Sequence, residues 1–501
     1  MSFRGVWPME HEVEATSSSL DTYLRSNGTV RDECDVTLRV AEGVLPPALR
    51  GVLYRNGPGK LEVFGKRYDH PFDGDGMVTR IAFDGRDVHY TNRFVRTEEY
   101  AAEEQAGRML YRSFGTNLPG GLRRNFLKLH FKNAANTSVV MHGGKLLALW
   151  EGGQPHALDP VTLETLGRYD FAGQLRNRSG LLGRLVAPEL PFSAHPKVDV
   201  DSGELFNFGT LMGPQSQLVS YRVRRDGSMD APSFVPLPAL SFVHDFVLTE
   251  RYRVYFLSAV SFGIAKACFG LTTPVGSLSA TEDAPAAILL VPRDGSPPIK
   301  VSARSGFLFH FANGFEDAQG RIVLDGMRMD ALPSATDVQA LLDGNVVHIP
   351  PARLTRYVVD PAARTVVEKR LSETFVDLPT IDPRRSGRSY RHFWSIAAAP
   401  DQVGPFYHRL SHFDHEGRET VRDFGPDFPG EPLFVPASGD AAEGDGWVLS
   451  LVYRATAHRT DLYVLRPGNL GTICRVELPH HLPSGFHGTW CPAPDSGGLR
   501  S

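Results

Sequence analysis

The chain has 501 residues and a formal net charge of -4. An ordinary domain has ~50–250 residues, so this length predicts either several domains or one large closed architecture such as a propeller. Hydrophobic residues make up 42% of the chain and charged residues 22%, as in a typical globular protein. Because there is no basic excess, binding to nucleic acid is excluded.

The four cysteines lie far apart and form no Cys-x-x-Cys pair. This spacing predicts neither a thiolate zinc site nor a disulfide framework, and it fits a reducing compartment. The N-terminus has no apolar stretch long enough for a signal peptide, and no window approaches the ~20 apolar residues of a membrane span. We therefore expect a cytoplasmic protein that is either soluble or peripherally associated with a membrane.

Short runs of alternating or β-branched residues recur along the chain and are bounded by turn residues. In chain order they are residues 203–210, 251–258, 286–295, 320–329, 353–371 and 446–465. The last two contain the segments DPAA and ATAHRTD, which predict hairpin connections. The pattern predicts an all-β sandwich, barrel or propeller, although no strict repeat of the WD40 or kelch kind is present.

Helical signals are few. Residues 122–131 place Leu122, Phe126 and Leu129 at helical spacing with basic residues between them, and residues 330–344 predict a second short helix. Two interpretations of the apolar segment 108–131 stay open. It is either a surface helix packed on the β core, or an apolar patch with a basic rim that touches a membrane and admits lipophilic substrate. The 30 phenylalanines fit both a β core and an apolar channel.

Four of the 18 histidines lie among apolar or aromatic residues beside strand-like runs: His195, His244, His310 and His487. Burial of an imidazole is costly unless its nitrogens find partners. Residues so far apart can meet only if successive β elements surround a common axis, as propeller blades do. Neutral imidazoles suit iron(II), copper, nickel or zinc. Spacing alone leaves open that these are four unrelated core histidines.

A series of motifs supplies the missing context. In chain order they are YRNGPG (54–59), HPFDGDGM (70–77), NAANTSVV (133–140), LLALWEGGQPHALDP (146–160), SAHPKVD (193–199), FVHDF (242–246), FHFANGFED (309–317), EPLFVP (431–436), AEGDGWVLSLVYR (442–454) and GFHGTW (485–490). In this order, from about residue 45 to 493, the series resembles the carotenoid cleavage oxygenase family. The sequences of these motifs are most similar to those of bacterial and cyanobacterial apocarotenoid oxygenases.

The resemblance implies an all-β, seven-bladed β-propeller with a helical and loop cap over one face. In this arrangement residues 1–44 form an N-terminal extension, and residues 45–501 form the propeller, with cap insertions at roughly 100–135 and 170–192. It also implies Fe(II) on the propeller axis, held by the four histidines named above. His70 and His156 belong to family motifs but are not ligands in this pattern.

The resemblance further implies acidic residues behind three of the ligands. Glu151 and Glu431 match two of these positions, and Asp377 stands where the family usually has glutamate. Because aspartate is one methylene shorter, its carboxylate must reach the imidazole by a backbone shift, through a water, or not at all; Glu373 is an alternative partner. Thr137 matches a threonine that narrows an open metal position in some members, and we assign it to the catalytic site.

The activity implied is O2-dependent cleavage of a conjugated C=C bond in a lipophilic carotenoid or apocarotenoid, which gives two carbonyl products. A stilbene or other phenylpropenoid is the alternative substrate, for which Tyr100 and Lys132 are the candidate phenol-binding residues. Two further alternatives are an isomerohydrolase of the same fold and a metal-free propeller that binds a ligand. Oxygen uptake and iron content separate these from the dioxygenase.

Overall fold

Strands dominate the computed structural model, which describes residues 10–178, 187–211, 216–237, 241–280, 285–400, 402 and 404–493. The strands of the first half are β1 (Asp35–Gly43), β2 (Arg50–Lys60), β3 (Glu62–Val63), β4 (Lys66–Arg67), β5 (Asp75–Asp84), β6 (Val88–Phe94), β7 (Ser138–His142), β8 (Lys145–Leu149), β9 (His156–Leu158), β10 (Thr165–Arg168), β11 (Lys197–Val198), β12 (Leu205–Leu211), β13 (Gln217–Val223), β14 (Ser233–Pro236), β15 (Phe246–Leu248) and β16 (Tyr252–Leu257). Most are short and end at turns, as the glycine and proline content predicts.

The strands of the second half are β17 (Val260–Phe262), β18 (Leu278–Ala280), β19 (Ala286–Pro292), β20 (Ile299–Ala303), β21 (Phe307–Glu316), β22 (Ile322–Met329), β23 (Arg353–Asp360), β24 (Thr365–Ile381), β25 (His392–Ala398), β26 (Arg409–Asp414), β27 (Glu419–Asp423), β28 (Phe428–Pro429), β29 (Leu433–Pro436), β30 (Gly446–Arg454), β31 (Arg459–Leu465), β32 (Thr472–Glu477) and β33 (Gly488–Pro492). Every strand-like run singled out in the sequence contains a strand or a hairpin at its place, which confirms the all-β prediction.

Helices are few among the described residues, and all but the first are short. They are α1 (Glu10–Ser26), α2 (Glu98–Ala106), α3 (Leu122–Asn125), α4 (Ile264–Cys268) and α5 (Ala335–Leu342), with single 3-10 turns at Pro71–Asp73, Val275–Ser277 and Pro383–Arg385. The helix predicted within 330–344 is confirmed as α5. The helix predicted over 122–131 is wrong beyond α3, because Phe126 is extended and Leu127 has a φ of 53°. Across the described ranges, no helix is both long and apolar enough to cross a membrane.

The strands form antiparallel sheets in chain order. Three sheets have four strands each: β7–β10, β11–β14, and β15, β16, β19 and β20. A seven-stranded sheet contains β21–β27. A ten-stranded sheet joins the two ends of the chain, since β1, β2, β5 and β6 share it with β28–β33. The β2–β33 pair brings the segment after His487 onto the first part of the chain, with Arg55 opposite Gly488.

Neighbouring sheets are held together by apolar side chains between their faces. One cluster joins β16 and β19 to β22 and β23 through Val254, Ile288, Leu324 and Tyr357, all essentially inaccessible to solvent. Another stacks Trp394 of β25 on Phe434 of β29, with ring centroids 4.7 Å apart. These neighbouring sheets therefore pack against each other through their apolar faces.

The predicted N-terminal extension takes part in this packing. Strand β1 pairs with β6 and with β32. Helix α1 packs Leu20 against Leu341 and Phe406. Residues 1–9 of that extension, residues 179–186 of the predicted insertion at 170–192, and residues 494–501 lie outside the described residues.

Candidate metal centre

The four predicted histidines converge on one point. One ring nitrogen from each of His195, His244, His310 and His487 can be chosen so that all four atoms lie within 4.8 Å of one another. The Nε2 atoms of His195 and His244 are 2.9 Å apart, and the His310 Nε2 is buried with no hydrogen-bond partner. A buried polar atom without a partner is costly. A buried ring nitrogen without a partner, next to three further imidazoles, is the arrangement that a metal site requires.

Each histidine lies within or just before a different strand. His195 closely precedes β11, His244 precedes β15, His310 belongs to β21, and His487 directly precedes β33. The register of β21 against β22 shifts on both sides of Phe311. Such bulges re-aim the neighbouring side chains, and this one lies next to His310.

Backbone hydrogen bonds fix these segments to one another. The Asp245 carboxylate accepts the N–H of Phe246 at 2.7 Å and the N–H of Phe311 at 2.9 Å, which joins the chain after His244 to the chain after His310. The N–H of His487 donates to the Thr137 carbonyl at 3.1 Å. One carboxylate thus joins the segments that carry His244 and His310, and a backbone bond ties the segment that carries His487 to Thr137.

Two of the imidazoles are oriented by short bonds to carboxylates. His310 Nδ1 lies 2.6 Å from Asp377 Oδ1, and His487 Nδ1 lies 2.7 Å from Glu431 Oε1. Each Nδ1–H donates to an acid, so each Nε2 is left with a free lone pair to bind metal. Glu431 also pairs with Arg55. Asp377 therefore contacts the His310 imidazole directly, although its side chain is one methylene shorter than that of glutamate.

A bulge explains how the aspartate reaches its histidine. The register of β24 against β25 shifts between Asp377 and Thr380, and Leu378 has a φ of 48°, in the left-handed region. The N–H of Leu378 also donates to Asp377 Oδ1 at 2.8 Å. The local backbone therefore supplies the displacement that glutamate would obtain from its extra methylene. Glu373, the alternative partner, is exposed and pairs with Arg370 at 3.2 Å.

The other two imidazoles have looser acidic neighbours. Glu151 Oε1 lies 3.5 Å from His244 Nδ1 and instead accepts the N–H of Ala194 at 3.2 Å. Asp245 Oδ1 lies 3.9 Å from His195 Nδ1 and pairs with Lys197 at 2.8 Å. Separations of 3.5 Å and 3.9 Å exceed ordinary hydrogen-bond distances.

Burial acts on the pKa of every imidazole in the site, and it lowers the pKa of His487 although the Glu431 carboxylate opposes the shift. Burial lowers the pKa values of His195 and His244 far below the usual histidine range. Burial opposes protonation of His310 as well, but the Asp377 carboxylate raises its pKa above the ordinary value. Burial raises the pKa of Glu151 to about 8. Four imidazole nitrogens gathered at one point fit a divalent transition metal.

A cavity of about 2170 Å³ reaches this centre from one side. Its wall contains His244, His310 and His487 together with many apolar side chains, among them Phe72, Phe114, Phe131, Trp150, Phe242 and Phe309. A second cavity of about 160 Å³ is lined by His195, His310 and His487 with Lys197 and Asp245. The histidines therefore separate a large apolar chamber from a small polar one.

The remaining predicted residues fall in two groups. Thr137 and Glu151 line the large cavity, as does His70. Tyr100 and Lys132 do not belong to its lining: the Tyr100 hydroxyl accepts from Lys60 at 3.1 Å, and Lys132 is buried elsewhere.

Lys132 lies in an ionic cluster of its own. Its ammonium is 2.5 Å from Asp75, 2.7 Å from Glu103 and 2.9 Å from the Tyr68 hydroxyl. With three partners it is fully satisfied. This position favours a structural role over substrate binding.

Two residues near the centre were not singled out in the sequence. Arg55 neutralises Glu431, and Asp245 bridges the segments after His244 and His310. Both stand inside quoted motifs, YRNGPG and FVHDF. Their charge within an otherwise apolar motif was the signal that could have found them.

Comparison with known proteins gives a consistent result. A family model described as "Retinal pigment epithelial membrane protein" matches residues 27–492. Apocarotenoid-15,15'-oxygenase of Synechocystis is 37% identical over 95% of this chain and 97% of its own. Resveratrol cleavage oxygenase 1 of Aspergillus fumigatus is 30% identical over 93% and 94%. The solved structure of the cobalt-substituted Synechocystis oxygenase matches with a TM-score of 0.88 and 36% identity, and covers 95% of this chain and 99% of that one.

Proposed function

Because the chain belongs to the carotenoid cleavage oxygenase family, we propose that it is a non-haem iron(II) dioxygenase. It cleaves a conjugated C=C bond of an apocarotenoid or carotenoid with O2 and releases two carbonyl products. The single observation that carries this proposal is the convergence of His195, His244, His310 and His487 at the wall of a large apolar cavity.

Iron(II), held by these four nitrogens, supplies the activation of O2 toward the alkene. The chain's own residues prepare the site. Asp377 and Glu431 accept the Nδ1 protons of His310 and His487, which holds their Nε2 lone pairs in place. Glu151 makes a weaker contact with His244, since its Oε1 lies 3.5 Å from the His244 Nδ1.

Thr137 is proposed to restrict access beside the metal. Its carbonyl accepts the N–H of His487, its hydroxyl donates to Asn136 at 3.1 Å, and its side chain lines the cavity. With its hydroxyl engaged, the β-methyl is the group available to narrow the space where a small molecule enters.

The cavity favours a long substrate. Ligand pockets usually have ~300–1,000 Å³, and this cavity is larger, at about 2170 Å³. A linear polyene needs such a channel, whereas a stilbene needs polar anchors for its phenol. The residues considered for that anchor, Tyr100 and Lys132, lie outside the lining. We therefore prefer the apocarotenoid to the stilbene, whose cleavage remains the second candidate because of the resveratrol-cleaving relative.

We also propose a seven-bladed propeller for the sheets. Three four-stranded sheets supply three blades. The seven-stranded sheet supplies two that share the long strand β24, whose pairing shifts register on both sides. The ten-stranded sheet supplies two more, joined through β1. Under this proposal the predicted domain of residues 45–501 also takes in β1, which precedes its predicted start, with insertions near 100–135 and 170–192 as the cap.

Contact with a membrane is proposed through residues 108–131. Four apolar side chains of this segment are exposed, namely Leu122, Phe126, Leu127 and Leu129. Basic residues stand between them, and Leu129 and Phe131 also line the cavity. A patch of this kind admits a lipophilic substrate directly from lipid. The protein would otherwise reside in the cytoplasm.

The proposal is tested by incubating protein reconstituted anaerobically with iron(II) with a panel of apocarotenals, hydroxystilbenes and a retinyl ester, under 18O2. Two aldehydes from an apocarotenal, with oxygen uptake, support the proposal. Cleavage confined to hydroxystilbenes supports the second candidate. Product formed from the retinyl ester without oxygen uptake indicates an isomerohydrolase. Protein that retains less than about a tenth of an equivalent of iron indicates a metal-free binding protein.

A further inference from the structure

Helix α1 forms part of the wall of the large cavity. Tyr23 and Ser26, from its last turns, belong to the lining. The family match begins at residue 27, directly after this helix. The helix is therefore a wall element that the matched region does not include, and its role is not explained by the metal centre.

The end of α1 is anchored by apolar contacts. Leu20 packs with Leu341 and Phe406. The Tyr23 ring meets the rings of Phe406 and Phe428 edge-on, with centroids 5.8 Å and 6.4 Å apart. Edge-to-face pairs of this kind are favourable and fix the orientation of a ring.

Polar bonds complete the attachment. Ser19 Oγ lies 3.0 Å from His408 Nε2, and Arg25 donates to the Tyr453 hydroxyl at 3.2 Å and to the Ala455 carbonyl. Just past the helix, the Asn27 side chain accepts the N–H of Ser484 at 3.2 Å. An element bound at several points is a fixed wall.

Tyr23 contacts a part of the cavity wall whose residues lie close in the sequence to the metal ligands and their partners. Phe428 closely precedes Glu431, the partner of His487, in the sequence. Ser484 closely precedes His487 itself. The Tyr23 hydroxyl has no hydrogen-bond partner among the described residues, and its side chain is half-buried where it faces the cavity. Helix α1 thus forms one part of the cavity wall, and Leu129 and Phe131 of segment 108–131 belong to the same lining.

We infer that α1 closes one arm of the cavity and that the Tyr23 ring limits how far a linear substrate extends past the metal centre. This inference rests on the proposed function and deepens it. A rod-like polyene can place a given double bond at the metal only if the remainder of the chain fits on either side. The ring that ends one arm therefore sets both the accepted length and the position of cleavage.

The test uses full-length Tyr23→Ala, Tyr23→Phe and Asp21→Ala proteins with all-trans apocarotenals of increasing chain length. Asp21 is exposed on the same helix and serves as the matched control. Both kcat/KM and Kd are measured for each length. Kd is obtained from quenching of tryptophan fluorescence, because Trp150 lines the cavity. The cleavage products are identified by mass.

Tyr23→Ala is expected to shift the preferred length upward, with the longest aldehyde bound about tenfold more tightly relative to the shortest. Tyr23→Phe and Asp21→Ala should keep the original profile, because the ring is retained in both. An unchanged length profile for a folded Tyr23→Ala protein would overturn the inference. If Tyr23→Ala does not fold, Tyr23→Leu is tested in its place, and the same shift in preferred substrate length is expected.

The two proposals fail in distinguishable ways. If the iron-loaded unaltered protein binds apocarotenals but cleaves none, the proposed function fails, and the Kd series alone decides on Tyr23. If it binds none of the series, the inference about Tyr23 is overturned as well.

Discussion

The two pairs of histidines at the metal centre are oriented by different means. His310 and His487 each donate to a carboxylate at 2.6–2.7 Å. His195 and His244 have carboxylates at 3.9 Å and 3.5 Å, and each of these acids has a closer partner elsewhere. One pair is set by ionic hydrogen bonds, while the other is set by the backbone that carries it.

The difference has a chemical consequence. A histidine that donates to a carboxylate is the more basic ligand, and its tautomer is fixed before metal arrives. For a buried histidine without such a partner, desolvation is the main cause of a lowered pKa, as at His195 and His244, and the neighbouring imidazoles and Lys197 add to it. We therefore expect the site to depend more strongly on Asp377 and Glu431 than on Glu151.

The largest effect is expected from loss of a ligand in the strongly oriented pair. His310→Ala should lower iron content and kcat/KM together by at least about 100-fold, beyond the ~10–100-fold typical of losing an outer partner. His415→Ala, at an exposed position, is the control. Iron is measured by mass spectrometry and turnover by oxygen uptake. Turnover retained in His310→Ala would remove this histidine from the ligand set.

The second prediction compares two acids, Glu431 beside His487 and Glu151 beside His244. Glu431→Gln should lower metal affinity ~10–100-fold, because it replaces the charged acceptor of His487 with a neutral amide oxygen and leaves Arg55 without its ion-pair partner. Glu151→Gln should cost less, since its carboxylate is 3.5 Å from the imidazole. Competition with a chelator measures both affinities, with exposed Glu416→Gln as the control. An equal loss in both variants would show that the two pairs do not differ.

A smaller effect is expected where the backbone has adapted to its acid. Asp377→Glu should lower kcat/KM about tenfold, at the low end for an outer partner, because the bulge at Leu378 already brings the shorter side chain within 2.6 Å of His310. Asp377→Asn, which keeps the side-chain length, is the companion variant. A gain in activity for Asp377→Glu would mean that the bulge does not compensate for the missing methylene.

The smallest catalytic effect is expected at Lys132. Lys132→Met breaks a buried ionic cluster and should cost about 3–5 kcal/mol of unfolding free energy, while kcat/KM changes less than about threefold in the protein that remains folded. Thermal melts and assays with both apocarotenal and hydroxystilbene separate the two. A loss above tenfold confined to the hydroxystilbene, with an unchanged melt, would restore Lys132 as a phenol-binding residue.

The sequence predicts the ligands better than it predicts their surroundings. His195, His244, His310 and His487 stand in motifs whose order resembles one family, and short strands are visible as alternating runs. The reach of Asp377 depends on a register shift, which no local pattern reveals. The turn after Asn125 was missed because helical spacing persists in the sequence while Leu127 adopts a left-handed conformation. Lys132 can be buried because acids elsewhere in the chain pair with its ammonium, and the local sequence does not reveal them.

The central claim is that four distant imidazoles hold one iron(II). It is tested by anaerobic reconstitution of the protein with iron(II), followed by metal analysis and X-ray absorption at the iron edge. We expect one iron per chain with a shell of four nitrogen neighbours. In His310→Ala the number of nitrogen neighbours should be lower. Iron that binds substoichiometrically, or with a shell unaffected by that substitution, would contradict it.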